Sequence, residues 1–407
     1  MVTAALTAAQ TTQVDSRPAA EAYVGGVCFK QGPPRLVGAE LEWLTSQVPG
    51  GERPSAATLA KALGRHAPTS IDPDSPAAPL PRGSLVTVEP GGQIELSSAP
   101  RTSARELCDC LDEDRRTLET LLASYSIEIS AAAADVARPP SRILRLPRYC
   151  AMESRFAGIG PYGTLMMCNT AAVQVSVDAG SSPESIAQRW RLLGDMGPAL
   201  IAAFACSPRL QGVPRGDWAS QRMRTWLELD SWRTSAVPEA QDYAGWALDV
   251  PLMCVRNEGD DWTAPRGATF GDWIDGALDA EIGRRPVWAD LDYHLSTLFP
   301  PVRAVGHLEV RYIDAQPGDL WRVPIAAVDA LLSGPAVMRE ASDAAASTAG
   351  RWRDAAEYGL DDVELRSAAT SLMSLAASYA PEPQFVRLLD AAAERCCRAI
   401  VPGESTT

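Results

Sequence analysis

Four short stretches of the chain alternate strictly between polar and apolar residues. In LVGAELEWL, Glu40 and Glu42 alternate with Leu41 and Trp43, and in GGQIELSS, Gln93 and Glu95 alternate with Ile94 and Leu96. In AAVQVSVDAG, Gln174, Ser176 and Asp178 alternate with Val173, Val175 and Val177. In GHLEVRYID, His307, Glu309 and Arg311 alternate with Leu308, Val310 and Tyr312. Successive side chains of a strand leave opposite faces, so a period of two predicts four strands, each with one apolar and one polar face. The PGG that precedes Gln93 predicts a tight turn leading into the second of them.

Elsewhere the period is helical. From Ser103 the segment SARELCDCLDEDRRTLETLLASY carries a capping-box pattern, Ser103 then Glu106, and sets Leu107, Leu111, Leu118 and Leu121 at helical spacing. One helix is expected over SPESIAQRWRLLGDMGPALIAAFACS, ended by Pro208, and another over PIAAVDALLSG. IDPDSPAAPLPRG, residues 71–83, reads as a proline-rich loop. Beyond Ser333 the chain turns Ala-rich, and Phe385, Leu388, Leu389, Ala392 and Cys396 fall on one helical face. Residues 1–22 are small and polar without a period and read as a flexible tail.

Composition narrows the function. With 407 residues and 46% apolar content, the chain can bury a large core. A net charge of -14, with Lys30 and Lys61 the only lysines, argues against nucleic-acid binding through a general basic field. The abundance of Arg and Ala over Lys reads as the codon bias of a GC-rich bacterial genome. No run of about 18 apolar residues and no basic leader segment occurs, so a cytoplasmic protein with no membrane partner is expected. Nine cysteines without a C-x-x-C pair read as reduced, structural thiols.

The polar strand faces then become the candidate chemistry. Any one of them could be an ordinary solvated face of an antiparallel sheet. Together they gather Glu40, Glu42, Glu95 and Glu309, and like charges on neighbouring strands repel unless cations compensate them. Hard divalent ions with oxygen ligands are the economical compensation, and Mg2+ held by few carboxylates completes its shell with water and phosphates. No G-x-x-x-x-G-K-[ST] loop is present, so phosphates must be held in another way. Arg311, two residues after Glu309 on the same face, supplies bidentate phosphate-binding geometry.

Motif by motif, the chain resembles the glutamate-cysteine ligases, and specifically their plant-like branch, which includes the actinobacterial enzyme of ergothioneine biosynthesis. VGAELEW looks like the first metal-binding strand of that family, TVEPGGQIELSSAP its glycine-turn strand and YGTLMMCNTAAVQVSVD its central strand. DYAGWALDVPLMCV and HLSTLFPPVRAVGHLEVRYID resemble later blocks, in the same order, so the resemblance spans roughly Tyr23 to Leu332. It implies an α+β fold related to glutamine synthetase and guanidino kinases: a curved antiparallel sheet forming a half-open funnel with outer helices. It makes residues 23–335 the catalytic domain and leaves 336–407 as a C-terminal helical layer packed on it.

The resemblance also implies the reaction. ATP phosphorylates the side-chain carboxylate of L-glutamate, and the amine of L-cysteine displaces phosphate to give gamma-glutamylcysteine, with ergothioneine biosynthesis as the setting. Carried over residue by residue, Glu40, Glu42, Glu95 and Glu309 match metal-binding positions, with Glu89 either a fifth ligand or a stabiliser of the glycine turn. Arg311 would act on the transferring phosphoryl group beside Glu309. SQRMRTW resembles a Ser-x-Arg-x-x-x-Trp segment, so Arg222, with Arg224 a near competitor, would pair with the glutamate α-carboxylate and Trp226 would form a wall. Gln174 would hold substrate or a nearby water, or simply be strand polarity. Tyr243 and Trp246 would line the amino-acid pocket. Two other readings stay open from sequence: a ligase of the same type with another amine acceptor, and a metal- or nucleotide-binding module without catalysis.

Overall fold

The computed structural model describes residues 11–32 and 36–404. Its centre is one antiparallel sheet of seven strands: β1 (Val37–Gln47), β2 (Leu85–Val88), β3 (Ile94–Ser97), β4 (Ile127–Ser130), β5 (Ala172–Val177), β6 (Val302–Ala304) and β7 (Leu308–Asp314). The order across the sheet is β2-β3-β1-β5-β7-β6, with β4 pairing the far end of β1. The sheet does not close, since β2 and β6 each have one neighbour.

The four alternating segments form β1, β3, β5 and β7, which lie side by side. Register puts Glu42 directly opposite Glu95, Glu40 opposite both Ser97 and Gln174, and Ser176 opposite Glu309. Between β5 and β7 the register shifts. Val173 pairs with Ile313 and Val175 with Val310, so Arg311 and Tyr312 together face the single residue Gln174. A bulge of this kind twists its strand and re-aims side chains. Arg311 keeps to the polar face and Tyr312 to the core, 1% exposed, so the alternation from Glu309 runs through the bulge to Tyr312.

The opposite face is fully apolar. Leu41, Ile94, Leu96, Val175, Leu308 and Val310 are buried there, beneath the helices Ala104–Ala123, Gly197–Phe204 and Arg322–Leu331. Ser103 caps the first of these by accepting from Glu106 N at 3.2 Å, and Leu107, Leu111 and Leu118 are buried as their spacing predicts. Each fully buried aliphatic side chain contributes about 1.5–3 kcal/mol, so this face anchors the sheet and leaves the polar face free for chemistry.

Three expectations change. The single helix expected over residues 182–207 is two, Pro183–Asp195 and Gly197–Phe204, because Pro198 lacks an N–H and sits without cost only in a first helical turn. The segment expected as tail is ordered from before Tyr23. Ser16 caps a helix over Arg17–Cys28, Arg17 pairs with Asp249 at 2.7 Å, and Val14 is buried. Residues 1–10 of that tail lie outside the described residues. The C-terminal helices are also more than an outer layer: Leu365, Leu372, Met373, Phe385 and Leu389 belong to the same continuous core as the sheet. The indole of Trp352 lies over Gly197 so closely that an added Cβ would sit 2.1 Å from the ring. Among the described residues, no helix is long and apolar enough to cross a membrane.

Candidate active site

The polar face of the sheet is roofed by the helices Pro147–Ala157, Tyr162–Asn169 and Gln221–Leu227, leaving a cleft of about 250 Å³. Glu40 and Glu42 from β1, Glu95 from β3, Gln174 from β5 and Arg311 from β7 line it, as their shared face predicts. Glu89 and Gln93 enter from the turn between β2 and β3. That turn requires its glycines. Gly92 has φ +90°, and a Cβ on Gly91 would stand 2.4 Å from the Cys168 backbone. Gln93 fastens the turn by donating to Thr170 O at 2.9 Å. Gly91→Ala should therefore lower unfolding free energy by about 2–3 kcal/mol, read from the denaturant midpoint at unchanged slope.

The carboxylates of the cleft resist ionisation in the absence of cations. Burial pushes Glu42 up to about 7, with the charge of Glu89 adding to it. Burial raises Glu95 well above the usual carboxylate range, reinforced by Glu40, Glu89 and Glu42. Burial likewise raises Glu40, with Glu309 adding, and raises Glu89 against the opposing pull of Arg311. Neutral donors meet only part of their need: Ser97 Oγ donates to Glu40 at 3.1 Å and Thr87 Oγ1 to Glu95 at 2.6 Å. Glu42 accepts from Ala172 N and from Gln174 Nε2, each at 2.9 Å.

Glu309 is the exception. It lies beneath the cleft surface, 2% exposed, where burial would raise it but Arg303 and Arg311 prevail and hold it at about 2. Arg303 Nη2 donates to both its oxygens at 3.1 and 2.8 Å, and Arg311 Nη1 donates to Glu309 and to Gln174 Oε1, the latter at 2.6 Å. A continuous chain of hydrogen bonds thus runs from Glu42 through Gln174 and Arg311 to Glu309 and Arg303. The Nε atoms of Arg303 and Arg311 and the indole N–H of Trp226 are buried there without partners in the protein.

Ser220, Arg222 and Trp226 are set by the end of β7. Asp314 accepts from Ser207 Oγ at 2.7 Å and from Ser220 Oγ at 2.8 Å, and Ser220 caps the helix Gln221–Leu227. Arg222, 2% exposed, donates to Arg311 O at 2.7 Å and sits 3.9 Å from Asp314. Trp226 lies against both guanidinium groups, 6.0 Å from Arg222 and 5.3 Å from Arg311. Arg224 faces away, bound to Pro214 O and stacked on Trp218, so only Arg222 of the two reaches the cleft.

Tyr243 and Trp246 do not reach it. Tyr243 is buried in a ring cluster with Phe29, Trp190 and Trp246, and Trp246 donates to Trp232 O at 3.0 Å. His294 is buried and donates from Nε2 to Ala247 O, 2.7 Å away; burial lowers it to about 3, so it is neutral and structural. Sequence reading missed Arg303, Arg148, Tyr149, Met152 and Phe299, all of which line the cleft. Arg303 alone carried a signal, six residues before Glu309 across a tight turn.

Among the described residues, no three metal-binding side chains already converge on one point. The donor set is nevertheless all oxygen, crowded and short of positive charge at Glu40, Glu42, Glu89 and Glu95, which suits hard divalent cations rather than soft ones.

A family model described as glutamate-cysteine ligase family 2 matches residues 36–398, extending through the C-terminal helices that no motif marked. The chain is 38% identical over 371 residues to the glutamate–cysteine ligase EgtA of Mycolicibacterium smegmatis, covering 89% of this chain and 84% of that one. It is 37% identical over 380 residues to EgtA of Mycobacterium tuberculosis, covering 90% and 84%. The chloroplastic glutamate–cysteine ligase of Arabidopsis thaliana is 31% identical over 248 residues, 58% of this chain and 46% of the plant protein. Among solved structures, the glutamate–cysteine ligase of Francisella tularensis in complex with AMP aligns with a TM-score of 0.50 at 12% identity, over 90% of this chain and 82% of that one. That likeness bears on fold, and it agrees with an open antiparallel sheet flanked by helices.

Proposed function

The chain belongs to the glutamate-cysteine ligase family 2, and on that premise we propose that it joins the side-chain carboxylate of L-glutamate to the amine of L-cysteine at the expense of ATP, giving gamma-glutamylcysteine for ergothioneine biosynthesis. It is a carbon–nitrogen ligase, and a cytoplasmic setting fits this role. One observation carries the reading: four cation-demanding carboxylates face Arg311 and Arg222 across a single cleft.

Glu40, Glu42, Glu89 and Glu95 would hold Mg2+, which would supply positive charge beside the ATP phosphates. Glu309, matched from sequence to a metal position, lies beneath the cleft surface with its oxygens taken by Arg303 and Arg311, and its part is to hold Arg311 in place. The guanidinium of Arg311, pinned by Glu309 and Gln174, directs its remaining donors at the transferring phosphoryl group, where charge develops. Arg222 pairs with the glutamate α-carboxylate and Trp226 forms the wall beside it. The glutamate side-chain oxygen forms the new bond to phosphorus as ADP leaves. The cysteine nitrogen then bonds to the acyl carbon, loses a proton and expels inorganic phosphate.

The test is product identification. With ATP, Mg2+, glutamate and cysteine together, mass spectrometry should find the gamma-linked dipeptide with stoichiometric ADP and phosphate. ATP turnover with a different amine in competition would redirect the acceptor, and a folded protein making no product would defeat the proposal. Arg222→Lys should raise KM for glutamate about 10–100-fold, because a point charge cannot grip a carboxylate with two parallel hydrogen bonds. KM for ATP should move little in the same steady-state measurement.

A further inference from the structure

A second cavity, of about 350 Å³, shares no lining residue with the cleft. Its walls come from residues 255–265 and from residues 281–284. Both are held by the protein's own hydrogen bonds, so the cavity is formed before any ligand arrives. The first wall is closed on itself: Asn257 Nδ2 donates to Asp261 O at 2.6 Å, Trp262 Nε1 to Gly259 O at 2.9 Å and Val255 N to Trp262 O at 2.9 Å. Arg284 ties the second wall to the first. It donates to the two oxygens of Asp290 at 2.6 and 2.9 Å and to Arg256 O at 3.1 Å.

Two opposite charges line this cavity without pairing with each other or, among the described residues, with any other group. Arg256 donates only through Nη2, to Ala289 O at 2.7 Å, and its guanidinium lies 4.6 Å from the centre of the Tyr293 ring. Its Nη1 makes no hydrogen bond within the described residues. Glu281, exposed on the short helix Asp279–Ile282, accepts from no side chain, and Arg284 beside it is already engaged by Asp290 and Arg256 O. The rest of the lining is mostly aliphatic: Val255 is buried, and Ala264, Pro265 and Ile282 are half-buried. A single carboxylate cannot assemble a site for a divalent cation, and its charge opposes a simple anion at Arg256. A ligand that carries both charges within one small group satisfies each side, and an α-amino acid carries them on a single carbon.

We infer that this cavity binds a free α-amino acid with an aliphatic side chain. Arg256 takes the carboxylate, Glu281 takes the ammonium group, and Val255, Ala264, Pro265 and Ile282 receive the side chain. The site is separate from the cleft and does not depend on the ligase reading.

The test is calorimetric titration of the purified full-length protein with L-leucine, which should bind with a Kd of about 1 mM, as suits a small ligand held by two partly solvated charges. L-Leucinamide lacks the carboxylate and 4-methylpentanoate lacks the ammonium group, and each should bind at least about 10-fold more weakly than leucine. Arg256→Gln should remove the preference for leucine over leucinamide, and Glu281→Gln the preference for leucine over 4-methylpentanoate, so each variant reports on one contact. Glu281 is exposed, and its variant remains decisive if Arg256→Gln folds poorly. Saturating the cleft with glutamate and cysteine should leave leucine binding unchanged. The assignment is overturned by the absence of leucine binding at about ten times the expected Kd, by displacement of leucine with glutamate and cysteine, or by preferences that survive both substitutions.

Discussion

Stripping divalent cations from the protein should abolish ligation and, at pH 8, lower the melting temperature by about 3–6 °C, both restored by Mg2+. The thermal effect should shrink steadily as pH falls. Glu42, Glu40, Glu89 and Glu95 all have folded-state values above the ordinary carboxylate value of 4.5, Glu42 at about 7. Without cations the folded protein keeps protons that the unfolded chain has released. That contribution is fully present below about pH 4.5 and is lost as pH rises through about 7. Divalent ions take the place of those protons, so they stabilise more at pH 8 than at pH 5.5, and their binding near neutrality should release protons. Calorimetry in buffers of different ionisation enthalpy measures that release. Glu309 runs the other way: held at about 2, its contribution is present above 4.5 and is lost as pH falls towards 2. Equal stabilisation by Mg2+ at pH 5.5 and pH 8 would contradict the assignment of these carboxylates as the cation-holding set.

Arg311→Lys should lower kcat about 10²–10³-fold, the usual cost of removing one preorganised charge from a transition state. The reason is geometric. One terminal nitrogen of Arg311 is already spent on Gln174 and Glu309, which fix the plane of the guanidinium, and its other donors remain for the phosphoryl oxygens. An ammonium has one charged atom for both tasks. KM values should change less than kcat, because the interaction strengthens as charge moves onto the phosphoryl group. Circular dichroism and melting should show a folded protein. A Lys variant with near-normal kcat would remove Arg311 from the reaction.

The strand pattern carried most of the site. Period-two alternation placed Glu40, Glu42, Glu95, Gln174 and Arg311 on one face because side-chain direction in a strand follows from position alone. Residues delivered by helices and turns left no such trace. Arg148 and Met152 share a helix face only once the register of Pro147–Ala157 is known. The bulge opposite Gln174 inserts one residue into β7 without changing its apolar-polar rhythm up to Tyr312, so the alternation reads the same with or without it. Tyr243 and Trp246 show the converse: aromatic residues at that spacing line a pocket or fill a core equally well, and here burial against Phe29 and Trp190 decided for the core.

The notch over Gly197 that receives Trp352 has a consequence for how the chain is made. The strands that bear the cleft come from residues 37 to 314, and neighbours in the sheet are far apart in sequence, β1 beside β5 and β5 beside β7. The helices that cover the apolar back of that sheet are themselves covered by Val363–Tyr379, which packs on Gly197–Phe204 and on Arg322–Leu331. During synthesis the sheet therefore completes only when β7 has emerged, and the outer side of Gly197–Phe204 stays uncovered until Trp352 and Val363–Tyr379 follow. A chain truncated before Trp352 should therefore lose soluble expression rather than merely lose activity, as the soluble fraction of the truncated protein would show.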